Sequence, residues 1–148
     1  RNKIIITGAA GFIGSRLATE FIKSKKEVIL VDKLSHFETR PQISRIYQGT
    51  EQTKRIDRED FEIWLKDNQS LCKYIFHLGA CTNTYEMNKE YLLQMNTQYS
   101  KNLWKIATEY KIPFSPIAFA IGMDCFPVPH PKSNTVNPLL NCKFSKIH

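Results

Sequence analysis

The sequence predicts an α/β chain: a doubly wound parallel sheet, cut short, with an irregular C-terminal segment. Three observations carry this reading. KIIIT at residues 3–7 passes through GAAGFIG into an amphipathic stretch and on to EVILV, the order strand, turn, helix, strand. Two further apolar runs, YIFHL at 74–78 and IPF at 112–114, flank a long helical pattern. After Phe114 the texture changes. Six of the seven prolines lie at or beyond Pro113, and of the fourteen acids only Asp124 lies beyond Phe114. The expected strand order is 3-2-1-4-5.

The first strand spans residues 3–7. Phe12, Ile13, Leu17, Phe21 and Ile22 then recur at helical spacing. The second strand, residues 27–31, ends at Asp32. Residues 33–55 hold no clear pattern; Arg40-Pro41 interrupts them, and ISRIY at 43–47 is the candidate third strand. Asp57 to Asp67 reads as a short helix, with Asp57 as its cap and acids in the first turn. YIFHL is the fourth strand. A polar loop, CTNTYEMN, leads to a helix near 89–110, with Leu92, Tyr99, Leu103, Ile106 and Tyr110 on one face. IPF opens the fifth strand. FPVPHPKSN excludes a helix, because proline lacks the amide donor and fixes φ. Residues 115–148 therefore read as loosely structured, with IAFAI at 117–121 as a candidate apolar strand.

A chain of 148 residues suits one domain with one core. No apolar run approaches the roughly 20 residues that span a bilayer, so no membrane role is expected. The chain opens at Arg1 directly on its first strand, without a charged leader and apolar h-region, so no signal peptide is expected. The net charge of +7 admits a nucleic-acid partner, but the basic residues are scattered among acids, as in KSKKE and KRIDRED. That pattern points instead to a solvated surface or to attraction for a small anion. Cysteines 72, 81, 125 and 142 include no C-x-x-C pair, so no metal site is expected. Reduced thiols and a cytoplasmic setting are the expectation.

TGAAGFIG places Gly8, Gly11 and Gly14 three residues apart, between a strand and a helix. Gly8 permits a tight turn, Gly11 lets backbone approach a pyrophosphate, and Gly14 lets the helix lie close on the sheet. The helix N-terminus offers free amides to phosphates. Asp32, at the end of the next strand, can accept hydrogen bonds from the adenosine ribose of a dinucleotide. Lys33 and Arg40 could accept a 2′-phosphate or could be solvated loop charges, so the choice between NAD and NADP stays open.

TGAAGFIG, IFHLGACTNT, IDREDF, EYLLQMNTQYSKNLW and IPF together resemble the ADP-glycero-manno-heptose 6-epimerase family, extended short-chain dehydrogenase/reductases with a Rossmann-type sheet. The resemblance covers about residues 3–114 and returns faintly at 138–146. It implies a bacterial enzyme of lipopolysaccharide inner-core synthesis acting on an ADP-heptose, with NADP favoured over NAD. It implies cofactor contacts at Gly8, Gly11, Phe12, Ile13, Gly14, Asp32, Lys33 and Arg58. Leu78, Gly79, Ala80, Cys81 and Thr82 would form the loop beside the nicotinamide-side ribose, and Asn96 would support it. Leu78 stands where the family commonly has Glu.

The family chemistry uses Tyr-x-x-x-Lys with a Ser or Thr. The ammonium and the nicotinamide charge lower the phenol pKa, and the phenol exchanges a proton with the substrate hydroxyl while hydride moves. Here PLLNCKFSK puts Cys142 at the tyrosine position and Lys146 at the lysine, and no tyrosine lies beyond Tyr110. Ala118 and Phe119 fall where serines are expected. Lys146 and Thr82 are the catalytic candidates that persist. Tyr85 and Lys89 share the spacing but follow the fourth strand, not the fifth. The expectation is a dinucleotide-binding domain over 1–114, a degenerate remainder of it over 115–148, and no substrate domain. Such a truncated sheet exposes apolar surface and leaves homo-oligomerisation open.

Overall fold

The computed structural model describes residues 1–40, 53–79 and 87–116, with Met95 described by its backbone alone. Its strands are β1 (Lys3–Thr7), β2 (Val28–Asp32), β3 (Lys54–Asp57), β4 (Cys72–His77) and β5 (Phe114–Pro116). Its helices are α1 (Phe12–Lys23), α2 (Leu34–Thr39), α3 (Phe61–Asn68), α4 (Lys89–Leu92) and α5 (Tyr99–Glu109). A π-helical stretch, Leu93–Gln98, joins α4 to α5.

The five strands form one sheet in the order β3-β2-β1-β4-β5, every pair parallel. This is the doubly wound, Rossmann-like order read from the sequence. β1 is central because its three isoleucines are buried on both faces, as a parallel sheet covered by helices requires. Alternation divides the side chains. Ile4, Ile6, Val28 and Leu30 pack with Ala18 and Phe37 on the α1 side. Ile5, Ile29, Val31 and Ile75 pack with Phe61, Leu65, Leu103 and Ile106 on the α3 and α5 side.

The register aligns the carboxyl ends of the strands. Thr7 pairs with Val31 and with His77, and Asp32 pairs with Asp57. The glycine turn after β1, Asp32 and the segment after β4 therefore meet at one rim of the sheet. β5 ends at Pro116, opposite His77, at the outer position of the described sheet; an outer strand tolerates a residue without an amide donor.

Two sequence expectations need correction. The third strand is Lys54–Asp57, whereas ISRIY lies outside the described residues, as does IAFAI at 117–121. Asp57 ends that strand and does not cap the next helix. Its carboxylate accepts from the amides of Glu59 and Leu34, at 3.0 Å each, and so holds the turn after β3 and the start of α2. α3 begins four residues later, at Phe61. Phe12 and Ile13 are 85% and 62% exposed at the first turn of α1, beside the glycine turn, while Gly14, Ser15 and Ala18 form its buried face.

The face between α5 and the sheet should carry much of the stability. Leu103 is fully buried in it. Leu103→Ala is expected to destabilise the chain by about 3 kcal/mol, from lost transfer energy and the residual cavity. Urea denaturation of the two chains checks this.

Candidate functional site

The turn after β1 is shaped by what crowds it. Gly8 has φ +68°, a left-handed conformation that favours glycine. A Cβ there would also lie 2.7 Å from the Gly79 nitrogen and 2.7 Å from the Leu78 carbonyl carbon. A Cβ on Gly14 would run into the Gly8 carbonyl oxygen. Gly11 is less confined, with that same oxygen at 3.1 Å from a built Cβ. Two glycines thus permit backbone to lie on backbone.

Long-range hydrogen bonds then brace the turn. The Ala10 amide donates to Asp32 Oδ2 at 3.0 Å, and the Ala10 carbonyl accepts from Arg40 Nη1 at 2.7 Å. The other Asp32 oxygen accepts from the Lys33 amide at 2.8 Å and meets His36 Nδ1 at 2.9 Å. Asp32 lies at the rim, as the sequence suggests, and its carboxylate, on a side chain only 12% exposed, is an anchor for the glycine turn. Arg40 at the end of α2 is likewise committed to the turn, a role its sequence position does not announce.

Arg58 follows β3, and its amide donates to the Asp32 carbonyl at 3.1 Å. Its Nη2 points to the Tyr91 hydroxyl at 3.4 Å, and its carbonyl accepts from the Tyr99 hydroxyl at 3.3 Å. Its Nε is buried without a hydrogen-bond partner among the described residues. Burial works against its charge, but Tyr91, Asp32 and Glu59 outweigh it and raise the guanidinium pKa. The site thus holds a cation with a spare buried donor next to Asp32.

Behind the rim, His77 is buried in the fourth strand. Its Nδ1 lies 2.6 Å from Thr7 Oγ1, and its Nε2 lies 2.7 Å from Ser100 Oγ. Thr7 Oγ1 accepts from the Gly79 amide at 3.1 Å. Ser100 Oγ donates to the Asn96 carbonyl at 2.9 Å, within the π-helical stretch. Burial pushes the imidazole down to about 4. It also pushes Cys72 up to about 11, so that thiol is a packing group. The motif spacing does not mark this histidine; a polar residue inside the otherwise apolar run YIFHL is its signal in the sequence.

Gly8, Gly11, Gly14, Asp32, Lys33, Leu78 and Gly79 thus come together at the carboxyl rim, with Phe12 and Ile13 exposed beside them. Arg58 joins them through Asp32. Asn96 is tied in through its carbonyl. Ala80, Cys81, Thr82, Tyr85, Cys142 and Lys146 lie outside the described residues.

Residues 4–134 match the NAD dependent epimerase/dehydratase family. This chain belongs to that family. The match runs past the composition change at Phe114. Two curated relatives are ADP-L-glycero-D-manno-heptose-6-epimerases. The one from Alkalilimnicola ehrlichii is 33% identical over 114 residues, 75% of this chain and 34% of that protein. The one from Brachyspira hyodysenteriae is 34% identical over 113 residues, 74% of this chain and 34% of that protein. The chain therefore spans about a third of the length of the curated relatives it matches. Among solved structures, the Helicobacter pylori ADP-L-glycero-D-manno-heptose-6-epimerase superposes with a TM-score of 0.60 at 27% identity, over 77% of this chain and 38% of that one. The Bordetella bronchiseptica enzyme WbmG, solved in complex with NAD and UDP, superposes at 0.59 and 20% identity, over 76% of this chain and 36% of that one, a likeness of fold. The described helices of this family member include none long and apolar enough to cross a membrane.

Two predictions follow from the packing. Gly14→Ala should destabilise the chain by about 3 kcal/mol, since the methyl meets backbone that cannot rotate away; chemical denaturation measures it. The second concerns acid. Unfolded histidine titrates near ~6.5, and His77 in the fold near 4, so between these values the unfolded chain binds more protons. The His77 contribution is full above about pH 6.5 and falls as pH drops toward 4, by on the order of 3 kcal/mol. Asp57, held below 3.8 by the Glu59 and Leu34 amides, loses its contribution only at lower pH. Urea midpoints at stepped pH values, compared with His77→Gln, should show the first window closing in the variant.

Proposed function

We propose that this chain is the cofactor-binding portion of a sugar-nucleotide epimerase of the ADP-heptose 6-epimerase kind, competent to bind NADP or NAD and unable to turn over substrate by itself. The observation that carries the reading is the rim: the Gly8–Gly14 turn, Asp32 and Arg58 brought together at the carboxyl end of the sheet, where such folds take their ligands. The residues suit a dinucleotide. The turn can receive a pyrophosphate at the Gly11 backbone and the α1 amides. Asp32 retains acceptor capacity for ribose hydroxyls, and the unpartnered Arg58 Nε offers a donor toward the adenosine side. Lys33 lies at the same end, and Phe12, Ile13, Leu78 and Gly79, with Ala80 and Cys81, would line the cofactor path. In this reading residues 1–114 are the dinucleotide-binding domain and 115–148 its remainder.

The bound cofactor would supply hydride acceptance and return at C6 of an ADP-heptose. The chain would bind and orient it. Proton exchange with the substrate hydroxyl needs a phenol that this chain lacks beyond Tyr110. Cys142 occupies the matching position, four before Lys146, and its softer, differently shaped thiol is a poor substitute. Thr82 would be the hydroxyl of the set. The lean toward NADP rests on the resemblance of the sequence motifs alone; the matched family is described as NAD dependent, and WbmG was solved with NAD.

Titration of the purified chain with NADP and NAD, followed by calorimetry, tests the proposal. Binding of one or both is expected, with ADP-heptose left unconverted. Arg58→Ala should weaken the bound cofactor by about tenfold, the loss of a charge-assisted hydrogen bond. Binding of neither by a chain that gives a cooperative unfolding transition would overturn the proposal.

A further inference from the structure

We infer that His77 is a positioning residue: with its single proton on Nε2, it orients a hydrogen-bond relay from the Gly79 amide to the Asn96 carbonyl, which holds the segment after β4 against the glycine turn. The inference concerns the architecture of the rim, and its effect on cofactor affinity rests on the proposed function.

The direction of the relay follows from counting protons. Ser100 has one hydroxyl proton, and it goes to the Asn96 carbonyl at 2.9 Å. At 2.7 Å from Nε2, Ser100 Oγ must then accept, so Nε2 carries the imidazole proton. Nδ1 is left as an acceptor. Thr7 Oγ1, at 2.6 Å, donates its only proton there. Its lone pairs remain for the Gly79 amide at 3.1 Å. Each proton has one place. The opposite tautomer would give up the Ser100–Asn96 bond and leave the Thr7 proton without a partner in the relay.

The surroundings enforce this arrangement. Tyr99 and Phe114 face the imidazole, with ring centroids 5.9 and 5.5 Å away, and its two nitrogens meet the neutral hydroxyls of Thr7 and Ser100. The relay joins β1, β4, the segment after β4 and the long helix. Its outer end is the Gly79 nitrogen, the same atom that lies 2.7 Å from a Cβ built on Gly8. Its inner end lies in the π-helical stretch, on the helix whose Tyr91 meets Arg58. Such stretches concentrate at functional sites. One side chain therefore sets the spacing between two parts of the rim that are seventy residues apart in the chain.

Nitrogen-15 NMR of the imidazole tests the direction. Nε2 should appear as the protonated nitrogen and Nδ1 as the bare one; the reverse assignment overturns the inference. Two variants test the consequence. His77→Leu fills the space and breaks the relay, whereas His77→Gln offers a donor and an acceptor. In the Leu variant, Gly79 amide exchange should quicken by about tenfold or more and cofactor Kd should rise by about tenfold; Gln should recover most of both. A folded Leu variant with unchanged Gly79 protection and Kd would overturn the inference. If that variant fails to fold, Thr7→Val removes the hydroxyl that joins His77 Nδ1 to the Gly79 amide, and unchanged exchange of that amide overturns the inference. If the parent chain binds neither NADP nor NAD, the proposed function fails, while the tautomer and the Gly79 exchange in Thr7→Val still settle this inference.

Discussion

The rim of this sheet depends on two stretches of backbone lying closer than side chains allow. The turn after β1 and the segment after β4 meet at Gly8, Leu78 and Gly79 with no room for a Cβ between them. The first strand can be central only if its exit does not collide with its neighbour's exit. Parallel strands all leave the sheet at one end, so their connections compete for the same space. Glycine removes the competition here, and the relay through His77 keeps the resulting gap from widening.

Commitments made elsewhere follow from this contact. With the turn pressed against the segment after β4, its other side faces the end of β2, where Asp32 and Arg40 take the backbone amide and carbonyl of Ala10. Asp32 in turn receives the chain leaving β3, through the Arg58 amide on its carbonyl. Arg58 then meets the long helix through Tyr91 and Tyr99. A continuous set of bonds runs around the rim from β3 through β2 and β1 to the helix after β4. It contains few charged pairs and many backbone groups, which suits a surface whose task in the proposed function is to hold its shape near anionic ligands.

How far this was legible in the sequence varies with the kind of signal. β1, α1 and β2 were legible because buried runs and a 3.6-residue period are local signals, and the five-strand order followed from the βαβ pattern. β3 was not, because KRID buries only Ile56 and is otherwise charged. An acid before an apolar helix looks like a cap, so Asp57 was read as one; only the tertiary fold shows its carboxylate turned toward Leu34, twenty-three residues away. The cofactor motif was legible as glycines and an acid at known spacing. The bracing by Arg40 and the histidine relay were not, since their partners lie thirty and seventy residues distant and leave no periodic trace. The π-helical stretch is equally silent, because Leu92, Leu103 and Ile106 fit an ordinary helical period on either side of it.

The bracing of Ala10 at both its amide and its carbonyl has a kinetic meaning. Many loops that receive phosphates are ordered only when the ligand arrives, and part of the binding energy then goes into stilling them. In this turn the amide and the carbonyl are already engaged, one by the acid of a neighbouring strand and one by the base of a neighbouring helix. In the proposed function, a ligand reaching the first turn of α1 meets a surface whose shape is set beforehand. Encounter, helped by the chain's positive charge, then governs how fast it associates, and the residence time reports the contacts themselves rather than the reopening of a loop.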